Sequence, residues 1–87
     1  MRRDPVEYDG QEVELVYIAA SLGEAHRIES ILDNQGIDYT IEVEHYRSGI
    51  IFASVRAGAF FYVALESAGR SRETLKQFGY KVQEPLL

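Results

Sequence analysis

Residues 21–37 read SLGEAHRIESILDNQGI, and this stretch decides the fold. Ser21 with Glu24 three residues on is a capping-box pattern. The serine hydroxyl accepts the Glu24 N–H, and the glutamate is expected to reach back to the N–H of Ser21. Leu22, Ala25, Ile28, Ile31 and Leu32 recur at helical spacing and make one apolar stripe. Gly36 stands where a left-handed residue ends a helix, and Ile37 can turn back onto Leu32, as a Schellman ending requires. The stretch is a helix with both ends signed, and its stripe needs a sheet to cover.

The neighbours supply that sheet. Residues 13–20, VELVYIAA, are rich in β-branched and aromatic types and apolar on both pleat faces after Glu14, which reads as a strand buried on both sides. Residues 37–44, IDYTIEVE, alternate strictly. Ile37, Tyr39, Ile41 and Val43 share one side, and Asp38, Thr40, Glu42 and Glu44 share a wet one, as near a sheet edge. Residues 45–58, HYRSGIIFASVRAG, admit two readings: a long loop, or an extra strand between turns at Ser48-Gly49 and Ala57-Gly58. AFFYVAL at 59–65 is the strongest strand signal. Residues 66–78 form a second helix with Ser67 or Ser71 as cap, a thinner stripe of Ala68, Leu75 and Phe78, and Gly79 as its C′ residue. A short last strand at 80–83 is stopped by Pro85. Residues 1–12, polar and carrying Pro5 and Gly10, read as a flexible arm before a single domain at 13–87.

The order β-α-β-(β)-β-α-β is that of an α+β, ferredoxin-like split βαβ domain, with an antiparallel sheet and two helices on one face. The first and third core strands are then central. The face away from the helices would hold Leu15, Tyr17, Phe60 or Phe61, and Tyr62, an apolar area too large to stay wet. A homodimer through Tyr17, Phe60 and Tyr62 is the expected cover, because two-fold pairs are the commonest closed assemblies. The arm, through Val6 and Tyr8, is the alternative.

Composition excludes several classes. There is no cysteine, so disulfides and thiolate metal sites are absent. No apolar run approaches the roughly 20 residues of a membrane span. The first residues lack the apolar core of a signal peptide, so a cytoplasmic, membrane-free protein is expected. The net charge of −5 disfavours non-specific contact with nucleic acid or an anionic membrane. Residues 13–45 hold one Arg against seven acids, and residues 46–87 hold six bases against three acids. Such halves could complement each other within or between subunits.

At this point the chain resembles a family of small prokaryotic signal-transducing proteins, whose fold is similar to that of the PII (GlnB-like) regulators. The residues that carry the resemblance are the strand VYIAA, S-x-x-E-A at Ser21, Glu24 and Ala25, and I-x-S-I-L-x-x-x-G-I from Ile28 through Ser30, Ile31, Leu32, Gly36 and Ile37. Glu44-His45 follows at the end of the second strand, and the match covers roughly residues 13–83. The chain departs from the pattern at Glu66-Ser67-Ala68-Gly69-Arg70, where an acidic turn is expected. The resemblance implies a ferredoxin-like fold and a sensing or partner-binding role, with no catalytic residues and no agreed ligand.

Candidate sites follow from the residues themselves. Arg47, Arg56, Arg70, Arg72 and Lys76 would converge on a small anionic ligand if the central segment folded over the start of the second helix. Ile50, Ile51 and Phe52, apolar between glycines, would contact a protein partner. His26, Glu29 and Asp33 share a helix face and His45 follows Glu44, but neither histidine has a second imidazole at ligand spacing, so no metal and no cofactor are expected. Arg56-Ala-Gly-Ala-Phe-Phe-Tyr-Val loosely echoes an RNA-binding strand, with its glycine and aromatics out of register. The acylphosphatase reading fails because Ala19-Ala20-Ser21 stands where that chemistry needs an arginine-bearing glycine loop. What remains is a non-catalytic regulatory module sensing a small anion, an interaction adaptor using residues 47–58, or, as the least favoured alternative, an enzyme of a kind these motifs do not show.

Overall fold

The computed structural model describes residues 1–48 and 54–85, with the backbone alone at 44–48 and 54–57. Helix α1 spans Leu22–Asn34, and the Ser21 hydroxyl accepts the Glu24 N–H at 3.1 Å. The Glu24 carboxylate accepts the N–H of Ala20 at 3.1 Å, one residue before the expected partner, Ser21. The same carboxylate acts on the Tyr17 phenol, whose pKa is raised first by burial and then by the charge of Glu24. At the other end Gly36 has φ +68°, and Ile37 N–H donates to Leu32 O at 3.0 Å. Gly36 N–H donates to Asp33 O at 3.0 Å, completing the Schellman pair.

Strands β1 (Val13–Ala19), β2 (Thr40–Ser48) and β3 (Ser54–Ala64) form an antiparallel sheet in the order β1-β3-β2. The described parts of the 45–58 segment continue β2 as far as Ser48 and begin β3 at Ser54, with the strands paired as far as Ser48↔Ser54 and no break at Ala57-Gly58; residues 49–53 lie outside the described residues. Gly58, read as a turn residue, is buried within β3 opposite Glu44. Ser54 and Val55 belong to β3, and Ile50, Ile51 and Phe52 lie outside the described residues.

Strand β1 carries one irregularity. Leu15 pairs with Tyr62 and Tyr17 with Phe61, so Val16 is an extra residue with no partner across the ladder. Consecutive residues on either side of such a bulge can face the same way. Val16 and Tyr17 are both buried, and both belong to the core cluster with Ala25, Ile28 and Leu32 of α1 and with Phe61 and Val63 of β3. The bulge thus puts two consecutive apolar residues on the helix side, while Leu15 and Ile18 stay on the other face.

After β3 a 3-10 turn, Leu65–Ser67, leads into helix α2, Ala68–Gln77, shorter than the expected 66–78. Ser67 holds the N-cap place but makes no side-chain cap bond, and the Ser71 hydroxyl donates back to Ser67 O at 2.7 Å. Ala68 and Leu75 join the core. Gly79, at φ +86°, ends the helix, and Tyr80 N–H donates to Leu75 O at 3.1 Å. The ring of Tyr80 then meets that of Tyr17 edge-on, with centroids 5.7 Å apart.

The expected strand at 80–83 does not form. Gln83 N–H donates to Val16 O at 2.9 Å, but the Gln83 carbonyl that would continue a ladder is taken by Arg72 Nε at 2.6 Å. Strand β3 is therefore central, and β1, also expected in the centre, has β3 on one side and the irregular 80–85 segment on the other. The architecture is α+β, with a three-stranded antiparallel sheet and two α-helices among the described residues. None of those helices is long and apolar enough to cross a membrane.

Residues 1–12 lie against the sheet. Arg3 N–H donates to Tyr39 O at 2.7 Å, Tyr39 N–H donates to Met1 O at 3.2 Å, and a 3-10 turn, Pro5–Tyr8, is capped by Asp4. Thr40, expected on the wet side of its strand, is 4% exposed beneath this segment. Val43, expected inward, is 70% exposed, beyond the start of α1 where no helix covers the strand.

The cap of α1 gives a direct test. Replacing Ser21 by Ala should lower stability by about 1 kcal/mol, read from the urea midpoint, because an orphan N–H loses its acceptor. An unchanged midpoint would remove the hydroxyl from the stability of this helix.

Candidate functional site

The backbone does not bring the five basic positions singled out from sequence to one place. Arg47 and Arg56 lie toward the turn of the β2–β3 hairpin, in the pairs Arg47↔Val55 and Tyr46↔Arg56. Helix α2 starts from the opposite end of β3, after Ala64. At about 3.3 Å per residue along a strand, the two ends are separated by roughly 26 Å. Arg72 is 8% exposed and its guanidinium is committed to structure. Nη1 meets Glu14 Oε2 at 2.7 Å, Nη2 donates to Leu15 O at 3.0 Å, and Nε donates to Gln83 O. Arg70 donates to Gln35 O at the end of α1, and Lys76 pairs with Glu84 at 3.0 Å on the surface.

The buried position of Arg72 has a sequence signal. Ala68, Arg72 and Leu75 recur at helical spacing, so Arg72 stands on the apolar stripe of α2. An arginine there must bring its partners inside with it, and Glu14 with two backbone carbonyls are those partners.

A polar cleft of about 460 Å³ opens between the Pro5–Tyr8 turn, the α1–β2 connection and the start of α2. Arg3 and Arg70 line it, but so do Glu7, Asp38 and Glu66. Arg3 is already paired with Asp38 at 3.4 Å and with Glu7 at 3.9 Å. Tyr8 forms one wall, and its phenol is held above the usual range first by burial and then by the charge of Asp38. The acids outnumber the bases in this lining.

Glu29 and Asp33 hold the start of β2. Tyr39, fully buried, shares its one hydroxyl proton between Asp33 Oδ1 at 3.0 Å and Glu29 Oε1 at 3.2 Å. Its ring packs on Phe61 with centroids 5.7 Å apart, so one phenol pins the start of β2 to α1 and to β3. His26 is exposed. Among the described residues, no group of three or more His, Asp or Glu is placed to hold a metal ion.

The residues expected to form an oligomer contact are divided between the two faces. Tyr17 lies on the helix side, buried against Tyr80, because the extra residue at Val16 turns it there. Phe60 and Tyr62, paired across the sheet with Ile18 and Leu15, occupy the other face and are half-buried.

The hairpin itself is the most distinctive backbone feature. Strand β1 pairs with β3 only from Ala59 to Ala64. Among the described residues, the pairs Glu44↔Gly58, His45↔Ala57, Tyr46↔Arg56, Arg47↔Val55 and Ser48↔Ser54 have no third strand beside them. They form a two-stranded ribbon that runs past the edge of the three-stranded sheet.

Comparison with protein-family models, with curated proteins and with solved structures finds no match to this chain.

The Tyr39 phenol carries a pH signature. Its pKa is raised well above the ordinary tyrosine range, first by burial and then by its hydrogen bond to Asp33 and the charge of Glu29. A raised pKa in the folded state means stability is fully present below the unfolded tyrosine pKa of about 10 and falls as pH rises beyond it. Tyr39→Phe should cost about 1.5 kcal/mol at neutral pH through loss of one charge-assisted bond shared between two carboxylates. It should also flatten the alkaline fall between neutral pH and about pH 11. Equal alkaline slopes for the two proteins in urea titrations would show that this phenol does not couple to folding.

Proposed function

We propose that the chain is a small, non-catalytic regulatory binding module of ferredoxin-like, PII-like architecture, and that the β2–β3 ribbon is its contact segment. In this reading the 80–85 segment stands in the place of a fourth strand beside β1. The Gln83 bond to Val16 and the flanking of β3 by β1 and β2 support that assignment. The proposal includes a cytoplasmic location.

One observation carries the reading. Two-stranded ribbons are marginal in water unless something packs on them, and here five residue pairs run beyond the third strand. A domain gains little stability from such an extension, and a partner gains a long edge of backbone donors and acceptors. The small-anion version of the role has a narrower support. The start of α2 has no side-chain cap and lies beside Arg70, although the 3-10 turn before it already takes the Ala68 N–H at Leu65 O. The acids Glu7, Asp38 and Glu66 in the same lining oppose it.

Shortening the hairpin tests the contact role. Joining Tyr46 to Arg56 through Asn-Gly, a turn suited to a two-residue hairpin, should change folding stability by less than about 1 kcal/mol. It should also abolish cross-linking to the partner that the full chain captures. A collapse of the fold, or an undiminished cross-link, would assign the ribbon to structure instead.

A homodimer through Phe60 and Tyr62 belongs to the same proposal, supported by the apolar neighbours Leu15 and Ile18 on that face. Sedimentation at micromolar concentration should give twice the 9.9 kDa chain mass, and a monomer would refute the contact.

A further inference from the structure

The order β1-β3-β2 gives the sheet two outer sides. On β1 that side is taken, because Gln83 N–H donates to Val16 O at 2.9 Å and Arg72 holds the same segment. On β2 the pairing seen among the described residues is confined to Tyr39, just ahead of the strand. Arg3 N–H donates to Tyr39 O at 2.7 Å and Tyr39 N–H donates to Met1 O at 3.2 Å, so Arg2 bridges Tyr39 in the parallel sense. The Arg3 side chain meets Asp38 at 3.4 Å. This cover ends at Pro5, where the 3-10 turn begins.

Backbone groups along a strand point alternately to its two sides. Tyr39 points its N–H and C=O outward, so Ile41, Val43, His45 and Arg47 do the same, and the even-numbered residues point theirs to β3. From Val43 onward no strand stands on this outer side among the described residues. Val43 is 70% exposed, an apolar side chain on the open edge, and it stands in sequence between the exposed Glu42 and Glu44. That pattern sets the chemistry of a matching strand. An apolar residue belongs opposite Val43, and basic residues belong on either side of it, on the other pleat face. The first residues of the chain show the same match at Tyr39: an extended segment bonds through its backbone, and its arginine meets the neighbouring acid.

We propose that the outer edge of β2, from Val43 to Arg47, takes an extended segment of a partner protein, of basic–apolar–basic pattern, as an added strand. Backbone bonds attach the segment, and Glu42 and Glu44 select its charge. This assignment rests on the ribbon being the contact segment, and adds which edge is used and by what chemistry. An acidic segment is rejected, because like charges opposite each other on a sheet repel.

The test uses acetyl-Lys-Val-Lys-Val-Lys-amide as the probe and acetyl-Glu-Val-Glu-Val-Glu-amide as the control, with amide signals of the full chain followed by NMR. The basic peptide should shift the amides of Val43, His45 and Arg47 saturably and slow their exchange with solvent, and the acidic one should not. Two further probes carry backbone N-methyl groups, one on its valines and the other on its lysines. One of them should lose binding and the other keep it, because an edge bonds every second residue of an added strand. Val43→Pro removes an outward donor and leaves the bonds to β3, a position where a strand tolerates proline. It should weaken binding roughly fivefold, the scale of one hydrogen bond. Glu42→Gln should weaken it about threefold, the scale of one exposed charge pair. Absence of saturable shifts, equal shifts with the acidic peptide, or equal effects of the two methylation patterns overturns the proposal. The methylated probes act on the parent chain, so they decide it even where Val43→Pro fails to fold. Shifts confined to Val55 and Ala57, on the β3 side of the ribbon, would overturn the edge assignment while leaving the ribbon as the contact segment.

Discussion

Val16 is one residue too many for the ladder between β1 and β3, and what each side of the sheet holds follows from where that residue goes. A regular strand would send Val16 and Tyr17 to opposite faces. With the extra residue both turn inward and are buried. Tyr17 thereby reaches Tyr80 after α2 and Glu24 at the start of α1, so one side chain links both helices to the strand. The Leu15 and Val16 carbonyls are left for other partners, and Arg72 and Gln83 take them. The bulge also breaks the outer edge of β1, which would otherwise offer a regular row of donors and acceptors to another chain.

Arg72 depends on that arrangement. Its Nε, Nη1 and Nη2 are each bonded, to Gln83, Glu14 and Leu15. A guanidinium withdrawn from water stabilises a fold only when its donors are met in good geometry, and losing one partner leaves a charge stranded. The same guanidinium explains why the chain beyond Tyr80 lies beside β1 without joining the ladder. One backbone bond from Gln83 fixes its position, and the arginine occupies the carbonyl that the next rung would need.

What could be read from sequence was local chemistry. The serine cap and the two C′ glycines of the helices lie where the residue types place them, because each is decided within a few residues. The alternation of 37–44 holds for Ile37 and Tyr39 and fails at Thr40 and Val43. Burial at those positions depends on what arrives from elsewhere: residues 5–9 over Thr40, and no helix over Val43. The bulge was illegible because VELVYIAA is apolar at every position after Glu14, and a slip of one residue leaves no mark on such a pattern. Gly58 reads as a turn, yet it sits inside β3, so the ribbon was divided at the wrong glycine. Arg72 alone carried a signal that the charge count hid, its place on the stripe between Ala68 and Leu75.

That last point bears on recognition. Six bases in the second half of the chain suggest a surface for anions, but a cation counts for a ligand only if its donors are free. Arg72 has its donors bonded inside, Lys76 is paired with Glu84, and Arg70 closes the end of α1. Glu14 is cancelled by Arg72, while Glu66, Asp9 and Glu42 line open clefts. The clefts therefore present a more acidic lining than the sequence halves suggest, and their chemistry favours cationic groups over phosphates. The ribbon is the exception, since pairing through backbone edges does not depend on side-chain charge.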